Sequence, residues 1–455
     1  MVTRRQFTLG ASALAFGGLT ASFFGKVNAT AFQQAIEAYG PLLADTNKLL
    51  DLPAGFSYQI ISQLGEEMAD GFSVPDNADG MGCFALDDER VVLMRNHELV
   101  PKYLDEAAAS IKQHKSALAY DHTSEGVALP GGTSKLVYNL KTQKLETQFL
   151  TLVGTIRNCA GGTTPWNSWL SCEESVLTPS SDLTKSHGYI FEVPASATGL
   201  VEPVPLTAMG RFNHEAAAVD PRTGIVYLTE DRADSLFYRF IPHEQGKLHK
   251  GGRLQALVVK AQTRFDTRNW GEGKMPVQQW LETEWIDLSD PQSPEDDLRQ
   301  RGYKDGAALF ARGEGIHWGE NELYFCCTNG GAKQLGQVMR YQPSIYEGQV
   351  GESSAPGRLQ LFLESADPSL FNFGDNLTVT PFGHLMVCED QYTKVVDNHL
   401  RGVTPQGQPY NFARLHLQTE LAGACFSPDG STLFVNIYSP AKTIAISGPW
   451  GKFNA

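Results

Sequence analysis

The chain has 455 residues, 37 basic and 51 acidic, for a formal net charge of −14. A hydrophobic content of 42% supports a sizeable core and excludes a disordered or fibrous chain. The acidic balance argues against nucleic acid or an anionic membrane as a main partner, because both attract basic surfaces. With 44 glycines and 24 prolines, many turns and short strands are expected. Seven cysteines are scattered and odd in number, so they do not form a disulfide scaffold.

Residues 1–29 read as an address. Arg4-Arg5 precedes Phe7 and Leu9, a small and apolar run follows through Phe24, and Val27-Asn28-Ala29 offers a small-x-small cleavage site. This pattern matches a twin-arginine signal, which exports proteins already folded. The protein is therefore expected in the periplasm or outside the cell, with the twin-arginine export machinery as a partner. Cleavage would remove three basic residues and no acid, leaving residues 30–455 more acidic still.

The rest repeats one layout: a short strand, a turn, then a second strand ending in an acid or amide. Residues 216–231, 377–390 and 423–436 are the clearest copies. Looser copies end at Asn96-His97-Glu98, Cys172-Glu173-Glu174 and Thr328-Asn329. Asp-Pro-x-x-Gly and Pro-Asp-Gly are turn chemistry, so each copy reads as a hairpin. Six hairpins predict an all-β, six-bladed β-propeller in one domain, with helical and loop insertions. Two packed sandwiches would leave the recurring acids unexplained, whereas propeller strand ends converge on one channel. Helices are expected within Lys102–Tyr120 and Arg299–Arg312, and an external loop over residues 262–300.

The candidate oxygen ligands are Glu98, Glu173, Glu174, Glu215, Glu230, Asp231, Glu314, Asp375, Glu389 and Asp390. Asn96, Asn213, Asn329 and Asn376 are amide partners. A lone acid of this kind is more often a solvated turn residue. Acids recurring at one place in a repeat suit hard cations, which take six to eight oxygens. No DxDxDG loop is present, so the inference rests on convergence.

Cys83, Cys172, Cys326, Cys327, Cys388 and Cys425 lie in apolar strands and read as small core residues. Cys159 sits in a glycine-rich turn, where it is either a buried turn residue or a thiolate for iron or zinc. Arg312 and Glu314 are two apart in an extended stretch, so both face one side: an anion grip beside a cation ligand, or a surface ion pair. His97 and His214, each beside an acid, read as hydrogen-bonding core residues. No GxSxG elbow, Walker loop or dinucleotide fingerprint is present, which removes serine hydrolase, NTPase and Rossmann readings.

Asn158-Cys159-Ala160-Gly161-Gly162 followed by Trp169–Glu174 resembles the PhoX-type secreted alkaline phosphatases. So do residues 210–215, residues 310–315, and Asp375-Asn376 followed by Cys388-Glu389-Asp390. The resemblance runs in order through nearly all of the chain after the leader. It implies a phosphatase that hydrolyses small phosphate esters with an iron and calcium cluster in the propeller channel. Cys159 then matches the thiolate ligand of iron, Glu215 and Glu314 match carboxylate ligands, and Arg312 matches the residue that holds the phosphoryl group. Arg312, Cys159 and Glu314 form the implied catalytic set, while Glu173, Glu174, Asp375 and Glu389 fall where the family keeps metal-binding acids. A monomer is expected. The chain is short for the family, which leaves substrate range open. A non-catalytic metal-binding propeller and a calcium-dependent propeller hydrolase, such as a lactonase, are the competing readings.

Overall fold

Local turn chemistry builds the repeating unit of the fold, seen here in a computed structural model that describes residues 38–102, 118–180, 183–271, 274–391, 394 and 397–453. The chain divides by its own contacts into Met1–Ala31 and Phe32–Ala455. The expected leader lies outside the described residues, as does most of the helix expected over Lys102–Tyr120. In the second unit, Gly224 (φ 73°) donates to the Asp220 carbonyl at 2.8 Å and Gly430 (φ 70°) to the Ser427 carbonyl at 2.8 Å. Both glycines occupy the left-handed region that a β-branched residue avoids, and each closes a hairpin between alternating strands.

Six antiparallel hairpins result. Their first strands are Ala78–Ala85, Asn158–Thr163, His214–Val219, Gly313–Trp318, Gly374–Val379 and Leu421–Phe426. Their second strands are Arg90–His97, Ser168–Glu173, Val226–Glu230, Leu323–Cys327, Leu385–Glu389 and Thr432–Ile437. Each first strand packs on the next in that order, and Leu421–Phe426 packs back on Ala78–Ala85, so the six surround one axis. The packing is backbone against backbone: a Cβ on Gly80 would stand 2.4 Å from Ala160 Cα, and one on Gly315 2.6 Å from Asn376 Cα. Chain ends seal the ring, because Ser57–Gln63 pairs with Lys442–Ser447.

The arrangement is all-β and propeller-like, but among the described residues the strands form five hydrogen-bonded sheets. The reason lies in the segment expected as an external loop. Within it, Trp280–Asp287 is a strand that pairs with Gly252–Val259 on one side and Arg358–Glu364 on the other. That joins what would be two separate sheets into one of nine strands. Polar residues concealed this strand because its side chains are only partly buried. Among the described residues the one α-helix, Leu298–Asp305, is shorter than the stretch expected around it.

Apolar side chains fill the spaces between neighbouring sheets. Phe237 stacks on Phe325 at 4.4 Å, with Tyr227, Phe310 and Tyr341 buried around them. Burying each such ring contributes roughly 1.5–3 kcal/mol. Among the described residues all seven cysteines are free, and all but the partly exposed Cys83 are buried.

Candidate metal centre

One irregularity, repeated in every hairpin, aims side chains at the axis. Pairing between the two strands shifts just after the start of the first strand: between Ala78 and Met81, Asn158 and Gly161, His214 and Ala217, Gly313 and Ile316, Gly374 and Leu377, and Ala422 and Cys425. A bulge releases residues from the ladder and redirects their side chains. The first residue released in each hairpin is thereby Asp79, Cys159, Glu215, Glu314, Asp375 and, one place further into its strand, Gly423. All but the last carry a ligand atom, and all are buried.

The residue just after each second strand gives the next layer. These are Glu98, Glu174, Asp231, Thr328, Asp390 and Tyr438. With Glu420, which precedes the last first strand, all of these acids except Glu215, together with Cys159 and Tyr438, line a cavity of about 300 Å³. Four groups bring their ligand atoms within 4.8 Å of one another: Asp79, Glu98 and Cys159; Cys159, Glu174 and Glu215; Glu215, Glu314 and Asp375; and Asp375, Asp390 and Glu420. Shared members link the groups into one chain of sites. A second cavity, about 570 Å³, is lined by later residues of the same first strands and holds none of these acids.

Such crowding is unfavourable for the protein alone. Burial, then the charges of Glu98 and Asp375, push Asp79 well above the usual carboxylate range. Burial and Asp375 do the same to Glu215, and burial and Asp231 to Glu314. Asp375 is raised to about 7 by burial and Asp390. Burial, Asp79 and Glu215 raise the Cys159 thiol, whose Sγ lies 3.3 Å from Asp79 Oδ2. Both carboxylate oxygens of Glu215 and Asp390 Oδ1 are buried without a hydrogen-bond partner. Polar atoms in that condition cost several kcal/mol each unless a cation takes them up. The donor set therefore fits bound cations, with oxygen ligands throughout and one sulfur.

Two arginines stand at the mouth. Arg312 reaches Asp231 through Nε to Oδ1 at 2.6 Å and Nη2 to Oδ2 at 2.9 Å, and Nη2 lies 3.0 Å from Glu314 Oε1. Burial alone would lower its pKa, but Glu314 and Asp231 raise it, so its charge is fixed. Arg157 reaches Glu98 Oε1 through Nε at 2.7 Å and Glu174 Oε2 through Nη2 at 2.5 Å.

Of the residues expected at the site, Cys159, Glu174, Glu215, Glu314, Asp375 and Arg312 come together, as do Glu98, Asp231 and Asp390. Glu173 and Glu389 do not. Glu173 accepts from His187 Nδ1 at 2.7 Å and from the Ile156, Gly188 and Tyr189 amides. Glu389 accepts from Arg401 Nε at 2.7 Å and from the Asn372 and His399 amides. Glu230 accepts from Tyr238 Oη at 2.6 Å. These three are the last residues of their second strands, and alternation turns each away from the cavity that its successor faces. Asn96 instead donates to the Cys159 and Ala160 carbonyls, and His97 and His214 are buried hydrogen-bonding residues.

Sequence reasoning missed Asp79, Glu420, Arg157 and Tyr438. A signal for Asp79 exists: Asn77-Ala78-Asp79-Gly80 has the spacing of Arg312-Gly313-Glu314-Gly315.

The sequence matches the family model for alkaline phosphatase PhoX over residues 37–144 and 129–441. The chain belongs to the PhoX alkaline phosphatase family. Pseudomonas fluorescens PhoX, solved in complex with vanadate, a transition-state analogue, overlays with a TM-score of 0.67 at 19% identity. That overlay covers 92% of this chain and 98% of the other, and shows that the two share a fold. A gluconolactonase from Xanthomonas campestris overlays with a TM-score of only 0.42 at 12% identity, over 92% of this chain and 100% of that one. No curated protein matches the sequence directly.

Proposed function

We propose that this PhoX family member is an exported, metal-dependent phosphomonoesterase acting on small phosphate esters. Its scaffold is read as a six-bladed propeller in which two blades are fused through Trp280–Asp287. The observation that carries the reading is the linked chain of ligand groups with Arg312 held against one of its members, Glu314. Iron and calcium are the cations proposed. Cys159, Glu174 and Glu215 offer the mixed sulfur and oxygen set that iron accepts, and the all-carboxylate groups suit calcium. Bound there, the cations would supply Lewis acidity toward the phosphoryl oxygens.

Phosphoryl transfer needs positioning and charge neutralisation more than covalent help from side chains. Arg312 would hold the phosphoryl group, and Asp231 fixes the plane of its guanidinium. Cys159, Glu215 and Glu314 would anchor the cations, with Asp79, Glu174, Asp375, Asp390 and Glu420 completing the sets. A twin-arginine leader over residues 1–29 agrees with this reading, since that route carries folded, loaded proteins to the periplasm. The protein is proposed to act as a monomer.

Elemental analysis of protein exported by its own leader, beside a p-nitrophenyl phosphate assay, tests the proposal. Iron and calcium are expected together with turnover. Active protein that contains neither metal would sink it.

A further inference from the structure

Arg157 and Arg312 occupy equivalent places in two hairpins. Each immediately precedes a first strand, and each stands two residues before a ligand of the centre, Cys159 or Glu314. Both have left-handed backbones, with φ of 48° and 51°. Both side chains are about one-third exposed, at 37% and 35%, above acids that are far less so. Each guanidinium is held by two carboxylates through Nε and Nη2: Arg157 by Glu98 and Glu174, Arg312 by Asp231 and Glu314. Neither Nη1 donates to any described residue.

From this equivalence we infer that Arg157 is a second phosphate-binding residue and sets the preference for monoesters, an inference that rests on the phosphatase reading. Both arginines line the same cavity. An anion entering a cavity lined by eight carboxylates needs positive charge at the entrance as well as below. A phosphate monoester carries two charges and three non-bridging oxygens, enough for both arginines and for the cations beneath them. A diester carries one charge and two such oxygens, so it gives up one partner. Arg157, pre-oriented by Glu98 and Glu174, then contributes more to the monoester than to the diester.

The test compares wild type, Arg157→Gln and Arg157→Lys in three measurements: metal content, inorganic phosphate binding by calorimetry, and kcat/KM for p-nitrophenyl and bis-p-nitrophenyl phosphate. Arg157→Gln is expected to keep its metals, bind phosphate at least tenfold more weakly, and lose at least tenfold in monoester over diester preference. Arg157→Lys, which keeps the charge but not the fork, is expected to fold and show a smaller loss in the same direction. An unchanged phosphate affinity and ester ratio in both variants overturns the inference. So does metal loss in step with phosphate binding, which would make Arg157 only a support for Glu98 and Glu174. Wild-type turnover alongside either negative result leaves the phosphatase reading intact. Wild type that neither binds phosphate nor cleaves the monoester overturns that reading too.

Discussion

Arg312 and Asp231 form a two-pronged ion pair, Nε to Oδ1 at 2.6 Å and Nη2 to Oδ2 at 2.9 Å, across the cavity mouth. Asp231 belongs to none of the four ligand groups and instead holds the arginine at two nitrogens. Arg312→Gln is expected to lower kcat/KM for a phosphate ester by about 10²–10³, the usual loss for one charge-stabilising donor. Asp231→Asn keeps the shape but loosens the guanidinium, for a smaller loss of about tenfold. Metal content, measured on the same samples, should be unchanged in Asp231→Asn. Equal activity in wild type and Arg312→Gln would remove the arginine from phosphate binding.

Cys159 and Asp79 belong to different hairpins yet share a ligand group with Glu98. A buried thiol raised by burial and by Asp79 becomes a thiolate only beside a cation. Cys159→Ser should therefore lose iron and turnover together. Asp79→Asn should weaken metal retention by roughly ten- to a hundredfold, as loss of a supporting ligand does. Elemental analysis after dialysis against a chelator reads both effects. Full activity in Cys159→Ser would exclude the thiol from the centre.

The hairpins were legible because their turns are written in Asp-Pro-x-x-Gly and Pro-Asp-Gly, between strands of alternating character. That acids gather at second-strand ends was legible as well. Which of two adjacent acids faces the cavity was not, since one residue of register turns a side chain to the other face. Glu174 and Asp390 line the cavity, whereas Glu173 and Glu389 serve His187 and Arg401. Asp79 and Glu420 do not end a second strand, so the recurrence of acids at strand ends does not point to them: Asp79 is the second residue of a first strand and Glu420 precedes one. The Trp280–Asp287 strand was hidden by its polar, half-buried faces.

Glu389 and Arg401 are both buried, and their bond is joined by the Asn372 and His399 amides. Removing one partner of such a pair leaves an uncompensated charge, at a cost of about 3–5 kcal/mol. Glu389→Gln should lower the denaturant midpoint by a corresponding amount while the folded fraction keeps its full metal content. Glu173→Gln should act in the same way through His187. Metal loss from folded protein in either variant would return these acids to the ligand set.

His187 lies wholly buried between Glu173, 2.7 Å from Nδ1, and Asp121, 3.2 Å from Nε2. Burial opposes its proton, but Glu173 and Asp121 outweigh burial and raise its pKa to about 9. An unfolded histidine titrates near ~6.5, so the folded pKa is the higher one. The stabilisation is then complete below about pH 6.5 and is lost as pH rises through about 9, and it amounts to something on the order of 3 kcal/mol. Unfolding by urea at pH 6 and pH 10 should show a large stability gap between wild type and His187→Gln at the lower pH. That gap should narrow markedly at the higher one. A gap that stays constant would mean that the imidazole is neutral throughout and holds the two acids by hydrogen bonds alone.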